Sequence, residues 1–215
     1  MKHVILLPLV LLSGGTLAAE IMVKSGESIQ AAIDSASPGD TIRVAPDTYI
    51  DPITIATDNL TIIGRSDEGE RAILDGQGGQ LEMVRIEAKG VTVHGFAARN
   101  AMAAGVVVYK AEDVTLSDLV VEDNSYIGIN IADSSDVTID RVVCAGHNSA
   151  GILIAQSSEI RVAASDSFDN LAGIRVENSD HFRIEDSSFY RNSTGIALVC
   201  VPGRAKPRTE DGKLL

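Results

Sequence analysis

Gly105-Val106-Val107-Val108, Gly128-Ile129-Asn130-Ile131, Gly151-Ile152-Leu153-Ile154, Gly173-Ile174-Arg175-Val176 and Gly195-Ile196-Ala197-Leu198 repeat one pattern, a glycine followed by a short apolar strand. The glycines are spaced by 23, 23, 22 and 22 residues. Between them a second alternating triplet recurs: Val114-Thr115-Leu116, Val137-Thr138-Ile139, Ile160-Arg161-Val162 and Phe182-Arg183-Ile184. An asparagine closes each unit, at Asn124, Asn148, Asn170 and Asn192. A short fixed period made of strands and turns, with no helix inside it, predicts a solenoid whose coils bury their apolar faces only by stacking on neighbours.

Outward from that stretch, the period-two pattern extends upstream through Ile42 and Val44, Ile53 and Ile55, Leu60 and Ile62, Ile73, Val84 and Ile86, and Val91 and Val93. Two departures, the polar run from Arg65 to Arg71 and the Gly-rich turn from Gly76 to Gly79, read as loops on one face and as candidates for a cleft wall. Before them, Glu20-Ile21-Met22-Val23 reads as a first strand. Ser28 caps a helix over about 28–36 with Ile29, Ala32, Ile33 and Ala36 at helical spacing, stopped by Pro38-Gly39-Asp40. Such a helix is placed to cover the N-terminal end of the stack.

Residues 1–18 read as a signal peptide: Lys2 and His3, the apolar run Val4 to Leu12, then Thr16-Leu17-Ala18 as a cleavage site. The expected mature domain is 19–199. Residues 200–215 form a polar tail ending in Leu214-Leu215, with no closing cap, so a partner or missing C-terminal coils are expected at that end. Periplasmic or secreted location follows from the leader, and no later run is long enough to span a membrane. With 18 basic against 30 acidic residues, general binding to nucleic acid or a long polyanion is disfavoured. Cys144 falls 16 residues after Gly128, in a column with Val121, Ser167 and Phe189, while Cys200 falls five after Gly195. These positions are more than two coils apart, at about 4.8 Å per coil, so two unpaired thiols are expected.

Ser28-Ile29-Gln30-Ala31-Ala32-Ile33-Asp34, then Pro38-Gly39-Asp40-Thr41-Ile42-Arg43-Val44 and Asp47-Thr48-Tyr49, resemble the opening of the right-handed parallel β-helix superfamily, the pectin-lyase-like proteins. The later Asn-x-x-x-Gly-Ile units are similar to the repeats of its carbohydrate-binding and sugar-hydrolase domains. The resemblance implies an all-β right-handed parallel β-helix with an N-terminal capping helix, and contact with polysaccharide, uronic-acid-containing chains included. It does not carry over a catalytic motif. The Asn-Thr-Asp, Asp-pair and Gly-His-Gly set of polygalacturonases has only Gly146-His147-Asn148 for comparison; the pectinesterase motifs are missing; no Trp stands beside an Asp-His pair as in pectate lyases; and Asp51-Pro52 runs into Ile53 where mannuronan epimerases have Asp-Pro-His-Asp.

Two sets of side chains are candidates for chemistry. The column before the Asn ladder (Asp123, His147, Asp169 and Arg191) would bring an acid, an imidazole and a cation together for acid/base work on a sugar, with Tyr126 on the same edge. Counted to Asn148, the His147 coil is one residue longer than its neighbours, which predicts a bulge that re-aims the imidazole. A solvated ladder of opposite charges explains the same pattern. On the face after each glycine, Tyr109, Asn130, Arg175 and Glu177 are expected to point outward among apolar residues, either as a glycan groove or as a plain solvent face. Asn124, Asn148, Asn170 and Asn192 are expected to form a structural amide ladder. Gly105, Gly128, Gly151, Gly173 and Gly195 are expected to serve positive-φ turns or close coil packing. His94 and His181 read as isolated exposed residues. No metal-ligand spacing is present, although the Asp-rich surface would suit loosely held Ca²⁺. Two functions remain open: a polysaccharide-active protein, enzymatic or only binding, and a non-catalytic exported scaffold that docks another protein.

Overall fold

The computed structural model describes residues 18–199; the expected leader up to residue 17, the polar tail and Cys200 lie outside the described residues. Three parallel sheets run the length of a solenoid. The first holds Glu20–Val23, Thr41–Val44, Thr61–Ile63, Thr92–His94, Glu112–Ser117, Ser135–Asp140, Ser158–Ala163 and Asp180–Glu185. The second holds Thr48–Tyr49, Ile73–Asp75, Ala97–Arg99, Val120–Glu122, Val143–Ala145, Asp166–Phe168 and Ser188–Tyr190. The third holds Ile53–Ile55, Glu82–Ile86, Ala104–Tyr109, Ile127–Ala132, Ala150–Ala155, Ala172–Glu177 and Thr194–Val199.

Each strand sends alternate side chains inward, and in-register pairing stacks like on like. Ile42, Ile62, Val93, Leu116, Ile139 and Val162 make one buried column, and Ile55, Ile86, Val108, Ile131, Ile154 and Val176 make another. The column of Val121, Cys144, Ser167 and Phe189 also forms as expected. Cys144 is a free, fully buried thiol, and burial pushes its pKa up. Helix α1 (Ile29–Ser35) closes the N-terminal end with Ile29 and Ile33 buried, and the Ser28 hydroxyl accepts from the Ala31 amide at 3.2 Å.

The corners show what the repeat encodes. Between the second and third sheets, Asn100, Asp123, Gly146, Asp169 and Arg191 have φ of 57°, 53°, 78°, 57° and 53°. Left-handed backbone is therefore supplied mainly by Asn and Asp, which tolerate it better than other side chains. The repeated glycines do something else: none of Gly105, Gly128, Gly151, Gly173 or Gly195 is left-handed, so close packing is their reason. A Cβ on Gly128 would lie 2.5 Å from the Gly151 carbonyl oxygen, and one on Gly151 would lie 2.0 Å from Ser167 Oγ.

Next to this corner runs the expected amide ladder, with one change of membership. Asn124 Oδ1 accepts from the Ala101 amide, Asn170 Oδ1 from the His147 amide and Asn192 Oδ1 from the Asn170 amide, each at 2.9 Å. The rung between Asn124 and Asn170 is His147, whose Nδ1 accepts from the Asn124 amide at 3.2 Å. Asn148 stands outside the ladder, exposed, donating to the Ser125 carbonyl at 2.9 Å. Counted to His147 the coil has ordinary length, so no bulge exists there. The residue difference lies just beyond: the chain takes two residues between His147 and Ala150 but one between Asn170 and Ala172, which is where the period drops from 23 to 22.

Candidate functional site

The corner between the second and third sheets collects most of the expected catalytic set, but not its histidine. His147 is 2 % exposed. Its Nε2 faces the Val121 carbonyl at 3.2 Å, so the neutral tautomer with Nε2–H satisfies both ring nitrogens. Burial lowers its pKa against weaker raising contributions from those hydrogen bonds and Asp123. The expected outward imidazole is replaced by Gly146, and the exposed column runs Asp123, Gly146, Asp169, Arg191. Ladder and surface column are adjacent positions in one turn, and a one-residue shift exchanged their members.

Asp169 and Arg191 meet in a two-pronged pair, Nε to Oδ1 at 2.8 Å and Nη2 to Oδ2 at 2.5 Å. The Arg191 hydrogen bond holds the Asp169 carboxyl below its ordinary value. Asp123 lies two coils away, roughly 10 Å along the stack at about 4.8 Å per coil. That backbone spacing exceeds the carboxyl separation of about 5–5.5 Å of retaining chemistry and is nearer the roughly 6.5–9.5 Å of an inverting pair. The pair with Arg191 takes Asp169 away from acid/base work.

What the corner offers instead is a ring surface. Phe168 and Tyr190 stack with centroids 4.9 Å apart and an interplanar angle of 13°, and the Arg191 guanidinium lies 5.1 Å and 5.2 Å from their centroids. Tyr190 is 42 % exposed, and Tyr126 at the same corner is 57 % exposed. With Tyr190 on one side, the other face of Phe168 looks toward its register partner Ala145. Ala145 and Gly146 are the small residues of the coil between Asp123 and Asp169, so the register leaves a floor of short side chains between Phe168 on one side and Glu122 and Asp123 on the other. A Cβ on Gly146 would meet Asp123 Oδ1 at 2.5 Å, so the carboxylate leans over that floor. The stacked rings were legible but unread, since Phe168 and Tyr190 each sit two residues before a ladder asparagine, Asn170 and Asn192.

The expected binding set on the third sheet shares one face but is spread along it. Val107, Asn130, Leu153 and Arg175 form one register column, and Tyr109, Ala132, Ala155 and Glu177 the next. Arg175 Nε lies 2.5 Å from Glu177 Oε1, while Tyr109 is flanked by Arg85 at 5.2 Å and Lys110 at 4.9 Å from its ring centroid. Asn130 Oδ1 is a buried acceptor without a hydrogen-bond partner. Beside it, Ala104, Val107 and Ile127 form a small apolar cluster with Leu153 and Tyr109 against it. His94 is not isolated: its Nδ1 lies 3.0 Å from Ser117 Oγ, on the outer face of the first sheet. Among the described residues, no three His, Cys, Asp or Glu side chains converge as a metal site, so the Ca²⁺ expectation finds no locus there. No described helix is long and apolar enough to cross a membrane.

A family model, right-handed β-helix region, matches residues 82–206. The chain belongs to the right-handed β-helix family. Solved β-helix structures share its architecture. Pectate lyase Pel9A is 17 % identical with a TM-score of 0.63, the match covering 84 % of this chain and 57 % of that one. An alginate lyase from Paenibacillus sp. str. FPU-7 is 18 % identical with a TM-score of 0.59, covering 88 % and 75 %. The periplasmic alginate epimerase AlgG is 12 % identical with a TM-score of 0.64, covering 87 % and 47 %. At these identities the likeness is one of β-helix fold, and the chain spans little more than half of the pectate lyase. A comparison with curated proteins finds no match.

Proposed function

We propose that this protein is an exported polysaccharide-binding β-helix whose ligand sits in the notch over Ala145 and Gly146. The observation that carries the reading is the Phe168–Tyr190 stack with one ring face turned to a gap lined by small residues. A pyranose ring laid on Phe168 would bury apolar C–H surface, and its hydroxyls would find acceptors in Asp123 and Glu122. Polysaccharide as the ligand class is supported by the β-helix neighbours, which are a pectate lyase, an alginate lyase and an alginate epimerase. Binding is favoured over turnover because His147 is buried and neutral and Asp169 is paired. Export rests on residues 1–18, and a mature mass beginning at Ala19 is the expected result for secreted protein.

The charge of the corner sets a preference within the class. Glu122, Asp123 and Asp169 flank the notch, and the cations one coil beyond them, Arg99 and Arg191, are paired with Asp75 and Asp169, in a chain of net charge −12. Neutral chains are therefore expected to bind better than uronans, whose carboxylates would be repelled. The test is affinity electrophoresis through neutral and uronic polysaccharides. Retardation by a neutral glycan, lost in Phe168→Ala with an unchanged melting temperature, is expected. A folded wild type that no polysaccharide retards would end the binding reading and favour the scaffold, with the Val107–Ile127 cluster as its docking face.

A further inference from the structure

We infer that Ser117, His94 and Asp118 form a second site, an acyl-transfer centre that hydrolyses small carboxylic esters of a hydroxyl group. His94 and Ser117 are direct register partners on the outer face of the first sheet, and Nδ1 lies 3.0 Å from Oγ. Asp118, at the following corner, has φ of 52°, and its Oδ2 lies 3.9 Å from His94 Nε2. One imidazole thus faces a hydroxyl through one nitrogen and a carboxylate through the other. The 3.0 Å contact is the hydrogen bond of a nucleophile to its base, and the carboxylate stands at ion-pair distance behind the imidazole, to face the charge the ring gains when it takes the serine proton. Ser117 is 8 % exposed, recessed at the foot of the site, while the His94 side chain is 34 % exposed at its mouth.

A cross-strand Ser–His hydrogen bond would be unremarkable alone. The surroundings make it more than that. The hairpin Arg65 to Arg71, closed by the Ser66 amide on the Glu70 carbonyl at 2.9 Å, folds over this corner. Both of its arginines bond Asp118: Arg65 Nη1 to Oδ2, and Arg71 Nη2 to Oδ1 at 2.8 Å, with Arg71 Nη1 on the Asp118 carbonyl. Burial pushes the Asp118 carboxyl up, but the hydrogen bonds from Arg71 and Arg65 outweigh it and keep the group ionised. The equivalent positions in later coils are Asp140-Arg141, Ala163-Ala164 and Glu185-Asp186, so nothing in the coil itself demands Ser-Asp here. The constellation and the hairpin are departures from the repeat at the same place.

The chemistry follows from the placement. Ser117 Oγ attacks the ester carbonyl carbon while its proton passes to His94 Nδ1. Asp118 faces the imidazolium that results. A guanidinium carries five N–H donors, and Arg65 and Arg71, both bonded to Asp118 next in the chain to Ser117, keep N–H groups not spent on that carboxylate, to which the developing oxyanion is assigned. Collapse expels the alcohol with the proton from Nδ1 and leaves acyl-Ser117. Water, deprotonated by the same nitrogen, then releases the carboxylic acid and restores the serine. Asp118 is a positioning residue; Ser117 and His94 are catalytic. This site uses none of the residues of the glycan notch, so each stands or fails alone.

The test is a fluorophosphonate probe and p-nitrophenyl acetate on the mature wild-type protein, with Ser117→Ala and His94→Gln as outward-facing variants of unchanged melting temperature. Probe mass on the peptide containing Ser117, with hydrolysis falling at least about 100-fold in both variants, is expected. Conversion of Asp118 to Asn should shift the pH profile of hydrolysis, which a purely structural loss would leave in place. No probe labelling and only background hydrolysis by folded wild type would overturn the inference, as would labelling that persists in Ser117→Ala.

Discussion

His147 shows how one residue changes meaning with its depth. In a ladder where each rung must accept an amide from the coil before it, Asn and the Nε2–H tautomer of His are chemically equivalent: each has one acceptor and one donor to spare. His147→Asn is therefore expected to fold with little loss. His147→Ala leaves the Asn124 amide unpaired in the interior and takes one donor from the Val121 carbonyl, at a cost of about 1–3 kcal/mol, read by urea denaturation. The imidazole also makes a pH prediction. Its folded pKa is below the unfolded value of 6.5, so the unfolded chain binds the extra proton. The stability it contributes is complete above about pH 6.5 and declines as pH falls below it, by up to about 1.4 kcal/mol per pH unit. Urea midpoints from pH 7.5 to 5 should lose that slope in His147→Asn; an unchanged slope would place the proton elsewhere. Ala164 gives a second test at this scale. It is exposed and held at φ of 47°, where a Cβ is strained. Ala164→Gly should stabilise by about 1 kcal/mol, and a lowered urea midpoint would contradict the strain argument.

At the scale of the coil, the repeated glycine marks where one strand bends against the next turn. The consequence depends on what lies ahead of it. A Cβ at Gly151 meets Ser167 Oγ at 2.0 Å and Asn170 Nδ2 at 2.9 Å, whereas at Gly195 the nearest atom is Phe189 Cβ at 3.8 Å. Gly151→Ala is expected to destabilise by about 1–3 kcal/mol through overpacking, while Gly195→Ala is neutral or slightly stabilising. Equal thermal shifts in the two variants would refute close packing as the reason for the column. The same scale explains the serine ladder, which the sequence reading passed over: Ser134 Oγ accepts from the Ala111 amide, Ser157 Oγ from the Ser134 amide and Ser179 Oγ from the Ser157 amide. Its signal is the 23- and 22-residue spacing of those serines, as regular as that of the glycines.

Across the whole molecule, stability is expected to vary along the stack, because each coil is held by its neighbours. Inward side chains of the middle coils, such as Ile131 and Ile154, are fully buried, while Ile196 and Leu198 of the strand Thr194–Val199 are 46 % and 40 % exposed. Hydrogen exchange of this 215-residue chain should therefore be faster in Asp180–Glu185, Ser188–Tyr190 and Thr194–Val199 than in Ile127–Ala132 and Ala150–Ala155. Uniform protection would show that another surface covers Ile196 and Leu198. The sequence alone determined the solenoid, its coil length, the helix over the N-terminal end and the core columns. All of these are periodic, and a strand's two faces can be told apart by counting. Tertiary structure alone decided which of two adjacent corner residues turns inward, because Asn148 and His147 both satisfy a ladder and only stacking fixes the register. It also decided what met across coils: the Phe168–Tyr190 stack, and Arg65 and Arg71 closing on Asp118 beside His94 and Ser117. Those contacts join residues some 20 to 50 positions apart, one or two coils away, where only the rise of the stack and the path of the hairpin determine what touches.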